Sequence, residues 1–206
     1  MWTVSAHDFQ SIRGGGGQPF TGFVDALLRA QCFVCGIPDS AVATTLRVNV
    51  RDGGVDTRSD QGTLNDATGR LRCPSAWQYK SEDADRFTEA SVAKQVEMHY
   101  ATELIQRGYG HRICVCDEIT AEKKEKPERA LNVAAQAIQA NAQPCYVLSA
   151  SDLAEWTNRF PGLVAARFNR PVTVARHWKA WQVSEQALTP TYVLPPSFPL
   201  LRSILS

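Results

Sequence analysis

Long apolar runs are missing from this 206-residue chain. None approaches the roughly 18 residues that a membrane-crossing helix requires, so no transmembrane segment is expected. The opening stretch, MWTVSAHDFQSIRGGGG, lacks the basic-then-apolar order of a secretory leader, and the expected compartment is the cytoplasm. An excess of either charge is also missing. Lys plus Arg number 22 against 21 for Asp plus Glu, a formal net charge of +1. A globally basic coat for nucleic acid is excluded, and any such contact must use a local face. Histidine is sparse: His7, His99, His111 and His177 are scattered without ligand spacing. Gly14 to Gly17 is followed by Gln18-Pro19 and not by Gly-Lys-Ser/Thr, which removes a P-loop and leaves a flexible entry to a helix. No G-x-S-x-G occurs, and no cysteine has a histidine placed near it in an obvious catalytic arrangement, so the common nucleophile signatures are absent.

What is present is ordinary globular composition, 44% hydrophobic with 21% charged, which argues against disorder. A compact chain of this size buries about 70% of its unfolded surface and needs no covalent staple. Cys32-x-x-Cys35 and Cys114-x-Cys116 carry four thiols that can serve as zinc ligands. Their apolar surroundings read instead as buried core thiols.

The chain divides into a lead segment 1–19, a domain 20–163, and an extension 164–206. Pro19 opens a helix whose Phe20, Phe23, Val24, Leu27 and Leu28 share one face, and Gly36-Ile37-Pro38-Asp39 turns the chain. Strands are expected at 44–50, 54–60 and 75–80. Val92, Val96, Tyr100 and Leu104 predict a single helix over 87–107, ended by Gly108. A central strand follows at 112–119. The charge run Glu122 to Arg129 reads as a solvated loop and first helical turn, with a helix carried on by Leu131, Ala134, Ala135 and Ile138. A buried strand at 144–149 and a helix capped by Ser151-Asp152 complete the domain. From Arg159 into the extension the chain is basic and aromatic, with Arg159, Arg167, Arg170, Arg176 and Lys179 among Phe168, Trp178 and Trp181. It continues into a Pro-rich stretch and an apolar stub, as a piece of a longer polypeptide would. The expected class is α/β, with a central mixed sheet flanked by helices and the core order αβββαβ.

Within that order the polar residues converge. Asp56 follows Asp52-Gly53-Gly54-Val55 in the second strand, and the third ends in Gln78-Tyr79-Lys80. Side chains alternate along a strand, so Gln78 and Lys80 share a side while Trp77 and Tyr79 take the other. A neighbouring strand can bring Asp56 beside them. A hard divalent cation wants such oxygens: the carboxylate of Asp56, the amide oxygen of Gln78 and the backbone carbonyl of Tyr79. Lys80 can then hold an attacking water and offset charge on a phosphate. Taken singly, Lys80 reads as a surface lysine and Asp56 as a turn residue; it is the combination that points to phosphodiester hydrolysis.

D-G-G-x-D followed by a strand carrying Q-x-K resembles the PD-(D/E)xK nuclease superfamily, and most closely its Mrr-type restriction endonuclease branch. The resemblance covers about two-thirds of the chain. It implies a restriction-endonuclease-like core, Mg²⁺ or Mn²⁺ as cofactor and double-stranded DNA as substrate. Asp56 takes the metal-binding aspartate position, Gln78 that of the acid, and Lys80 that of the lysine. Similar domains stand at the N-termini of bacterial antiviral proteins. That implies an effector activated by homo-oligomerisation, with fused sensor or NTPase domains. Gln78 departs from the carboxylate seen in much of the superfamily and removes one negative charge. Asp25, on the first helix, is either a further acid or a solvated residue flanking the core. Asp52 either binds metal or only forms the turn. Arg47, Arg51, Arg58, Arg70 and Arg72 surround the expected site and are the candidates for phosphate contact. The alternative is a non-catalytic nucleic-acid or protein interaction module on the same scaffold.

Overall fold

The strand Ser75–Lys80 (β3) is buried from Ser75 through Tyr79, and everything else is arranged around it. The computed structural model describes residues 3–14, 17–45, 53–81 and 86–168. Short strands Val42–Thr44 (β1) and Thr57–Ser59 (β2) form an antiparallel meander on one flank of β3. Gly110–Val115 (β4) and Tyr146–Leu148 (β5) run parallel to β3 on the other. The mixed sheet has the order β1-β2-β3-β4-β5. With helix α1 at Gln18–Val34 and helices α2 and α3 at Glu89–Val96 and His99–Gln106, the element order is the expected αβββαβ.

Helices cover both faces. On one lie α1, Ala150–Thr157 (α5) and Pro161–Phe168 (α6), packed on Trp77, Tyr79, Cys114 and Leu148. On the other lie α2, α3 and Ala121–Ile138 (α4), packed on Ala76, Ile113, Val115 and Val147. The alternation of β3 therefore separates an aromatic face, where Trp77 and Trp156 stand 5.9 Å apart, from a face carrying Gln78 and Lys80. Among the described residues, no helix is long and apolar enough to cross a membrane.

Sequence punctuation explains the ends of α1. Pro19 sits in its first turn, and Gly36, at φ 77°, closes it. The Ile37 and Gly36 amides return to the carbonyls of Cys32 and Phe33, which satisfies two end carbonyls in a Schellman arrangement. The lead segment is part of the same body. A 3₁₀ helix, Ala6–Ile12, buries Phe9 and Ile12, and Phe9 meets the Phe23 ring edge-on at 5.5 Å. Asn158 brackets Val4, accepting from its N–H at 2.7 Å and donating to its carbonyl at 2.9 Å.

Several expected boundaries move. β1 covers 42–44, and the rest of the expected strand, 46–50, lies outside the described residues. β2 shrinks to three residues, β4 ends at Val115, and β5 spans 146–148. The charge run 122–129 lies inside α4, with Pro127 within it. Thr120 caps that helix, while Glu125–Arg129 and Lys124–Asp152 pair its charges. The expected helix 87–107 is two helices, broken at Glu97-Met98. Ser149, not Ser151, caps α5. The six cysteines are all free and buried. Burial pushes the thiols of Cys32 and Cys116 up to about 12, and that of Cys114 higher still. Thiols in that state are poor metal ligands, and no cluster of His, Cys, Asp or Glu fit to hold a metal occurs among the described residues. The paired cysteines belong to the core.

Candidate metal and phosphate site

The break between α2 and α3 positions the site. Met98 begins α3 without a side-chain cap, leaving the first-turn amides without intrahelical partners. The Ala101 N–H is satisfied from outside, donating to the carbonyl of Gly53 at 3.2 Å. Gly53 and Gly54 are both left-handed, at φ 65° and 89°. A Cβ on Gly53 would stand 2.6 Å from the Cβ of Tyr100, and one on Gly54 3.0 Å from the Gln95 carbonyl and the Met98 sulfur. Glycine is thus required twice, for backbone sign and for close approach. The turn is pinned to the helix junction, and Asp56 leaves it in a fixed direction.

Asp56 enters β2 at the point where β2 and β3 part. Its N–H donates to the Trp77 carbonyl at 2.8 Å. At the next step the Tyr79 N–H donates at 2.6 Å to the Asp56 side chain, at Oδ2, and not to a backbone carbonyl. The carboxylate therefore stands against the peptide joining Gln78 to Lys80. In an extended strand the N–H and C=O of one residue point to the same edge, so the Tyr79 carbonyl is directed to the flank that Asp56 occupies.

Gln78 is 4% exposed and faces α2. The Ser91 carbonyl can only accept, so Gln95 gives it Nε2 at 2.9 Å. Gln95 then presents Oε1 to Gln78 Nε2 at 2.8 Å. The relay fixes the Gln78 amide with Oε1 buried and lacking a hydrogen-bond partner. A buried orphan acceptor is costly unless something positive meets it. Asp56, the Tyr79 carbonyl and Gln78 Oε1 are oxygen donors of the kind Mg²⁺ or Mn²⁺ takes, and the orphaned amide oxygen fits such an ion.

Lys80, half-buried, continues this face. It lines a cavity of about 130 Å³ with Arg86, Phe87, Ser91, Gln95 and Val115. His111, on β4 opposite Ala76, lies on the same face, fully buried with neither ring nitrogen partnered. Burial, then the charges of Arg112 and Lys80, depress its pKa to about 3, so it is neutral.

Not every candidate joins. Asp25 lies on the aromatic face, where it accepts from Arg29 at 3.1 Å and from the Thr44 hydroxyl. Its neighbour there is the phenol of Tyr79, whose pKa is pushed up by burial first and by Asp25 second. Arg70 also lies on that face. Its guanidinium stands 5.0 Å over the Trp156 ring, burial lowers its pKa, and its carbonyl accepts from Arg112 at 3.1 Å. Arg72 is exposed in the loop leading into β3. Arg47, Arg51 and Asp52 lie outside the described residues. Of the three candidate arginines among the described residues, Arg58 alone is placed with Asp56, in a cavity of about 210 Å³ between β1, β2 and α3. Sequence reasoning missed Gln95, His111 and Tyr100. A neutral amide within a helix and a buried histidine carry no pattern, but Tyr100 adjoins the helix break that the two glycines demand.

Compared with protein-family models, with curated proteins and with solved structures, the chain matches none.

Proposed function

We propose that this chain is a metal-dependent endonuclease domain that hydrolyses DNA phosphodiester bonds. The observation that carries the reading is the Asp56 carboxylate bonded to the amide of Tyr79, between Gln78 and Lys80, at the edge where β2 and β3 separate. Asp56, Gln78 Oε1 and the Tyr79 carbonyl would hold Mg²⁺ or Mn²⁺. A divalent ion held there neutralises phosphate charge and acidifies a water ligand.

The chain's own groups do the rest. Asp56 keeps one oxygen on the Tyr79 amide, which fixes its orientation toward the site. The Gln95 relay prevents Gln78 from turning its amide nitrogen inward. The Lys80 ammonium orients the attacking water and offsets charge building on the phosphate oxygens. The water oxygen bonds to phosphorus, the bond to the leaving sugar oxygen breaks, and the water's proton ends on that oxygen. The protein ligands carry one formal negative charge, so metal affinity rises when the substrate phosphate arrives. Six buried free thiols suit a reducing cytoplasm. The resemblance extends the proposal to an antiviral effector activated by assembly in a bacterial cell.

Lys80→Ala tests the reading. Mg²⁺-dependent nicking of supercoiled plasmid should fall at least about 100-fold, while circular dichroism and melting temperature stay unchanged. Nicking at the wild-type rate by a folded Lys80→Ala protein would overturn this mechanism, and DNA binding without any nicking by the wild-type protein would favour the non-catalytic module.

A further inference from the structure

The cavity beside Asp56 has its own chemistry. Arg58 follows Asp56 by two residues on β2, so both project to the same face. Thr44 and Thr45 form the β1 wall and Tyr100 the α3 wall. Arg58 Nη1 donates to the Tyr100 hydroxyl at 2.6 Å, and its Nε stands 3.0 Å from Asp60. Tyr100 is itself fixed, because its Cβ fills the space above Gly53. The guanidinium is thus held in one place by the same junction that fixes Asp56, and the Tyr100 and Asp60 contacts keep it charged. A fixed guanidinium on the wall of an open cavity recognises a tetrahedral oxyanion. The Asp56 carboxylate in the same cavity repels a free anion, and only a cation between them lets both act on one strand.

We propose that Arg58, braced by Tyr100, is the subsite for a backbone phosphate next to the one cleaved, on the β1 side of Asp56. This inference rests on the nuclease reading and adds a register to it. Arg58 stands opposite Ala76, and Lys80 lies four residues further along β3, past the Asp56 contact at Tyr79, so the DNA strand runs from Arg58 over Asp56 to Lys80 with phosphates on both sides of the scissile bond. The substrate is then an internal linkage and not a terminal nucleotide.

The test is binding of a short fluorescein-labelled DNA duplex, followed by anisotropy over a range of salt concentrations with Ca²⁺ replacing Mg²⁺. Loss of one phosphate contact reduces the slope of log K against log salt by about 0.9. Arg58→Gln should show that reduction, and Arg58→Lys, which keeps the charge, should not. An unchanged slope in Arg58→Gln overturns the subsite, as does an equal loss in Arg58→Lys. Lys80→Ala keeps the two ideas separate: abolished nicking with an unaltered Arg58→Gln slope would sink the subsite and leave the nuclease standing.

Discussion

The two faces of β3 are built from the same six residues and to opposite ends. The face of Trp77 and Tyr79 meets α1 and α5 through aromatic and aliphatic side chains, with Trp156 stacked near Trp77. The face of Ala76, Gln78 and Lys80 meets α2 and α3 with an amide relay, an ammonium and a buried neutral histidine close by. Both faces hold buried polar atoms without a hydrogen-bond partner: Tyr79 Oη and Arg70 Nη1 on the first, Gln78 Oε1 and both nitrogens of His111 on the second. The difference lies in what fills each face: aromatic and aliphatic packing on the first, and on the second the amide and ammonium to which the proposed function assigns the chemistry.

The largest break in that comparison is Trp77→Ala. Removing a fully buried indole should cost about 3–5 kcal/mol in urea unfolding, with activity lost only as the protein unfolds. A loss of activity in a fully folded Trp77→Ala protein would mean that the two faces are not separate.

The next is acid. His111 is neutral in the folded protein, with its pKa depressed to about 3 against an ordinary value of 6.5. Above pH 6.5 the folded and unfolded chains bind the same number of protons, and its contribution to stability is complete. As the pH falls from 6.5 toward 3, the unfolded chain takes up a proton that the folded one refuses. Stability then declines by up to about 1.4 kcal/mol per pH unit. Urea unfolding at pH 7 and pH 5 should show a larger loss in wild type than in His111→Leu, by about 2 kcal/mol. Equal losses would place the imidazole in contact with solvent.

The smallest effect on stability should come from Gln78, the residue whose amide oxygen is proposed to meet the cation. Gln78→Leu removes the orphaned oxygen and fills its space with hydrocarbon. It leaves Gln95 short of a single donor, so the change in stability should stay within about 1 kcal/mol. A drop of several kcal/mol would put Gln78 among the structural residues.

How much of this was legible beforehand depends on what kind of signal each residue leaves. β3 was read at its full extent, 75–80, because its alternation and flanking loops are local. The apolar face and the Gly36 stop of α1 were equally plain. The split between α2 and α3 was hidden, since Val92, Val96, Tyr100 and Leu104 keep helical spacing across the break. What opens the helix there is tertiary, the docking of Gly53 on the Ala101 amide. The charges of α4 suggested a loop because solvation and helix look alike in a charged segment; the Thr120 cap and the Glu128 contact to the Val147 amide decide for helix. Asp56, Gln78 and Lys80 could be grouped because strand alternation is a strict rule. Arg70 was misgrouped, and Asp25 left open between two readings, because nearness in sequence says nothing about which side of a sheet a side chain takes.

The central claim is that Asp56 and Gln78 Oε1 form an oxygen site for a divalent cation. Isothermal titration of Mn²⁺ into the wild-type protein, Asp56→Asn and Gln78→Leu tests it most directly. One Mn²⁺ should bind wild type weakly, bind Gln78→Leu about ten-fold or more weakly still, and fail to bind Asp56→Asn. Equal Mn²⁺ binding by all three proteins, or none by wild type even with a DNA duplex present, would contradict the account.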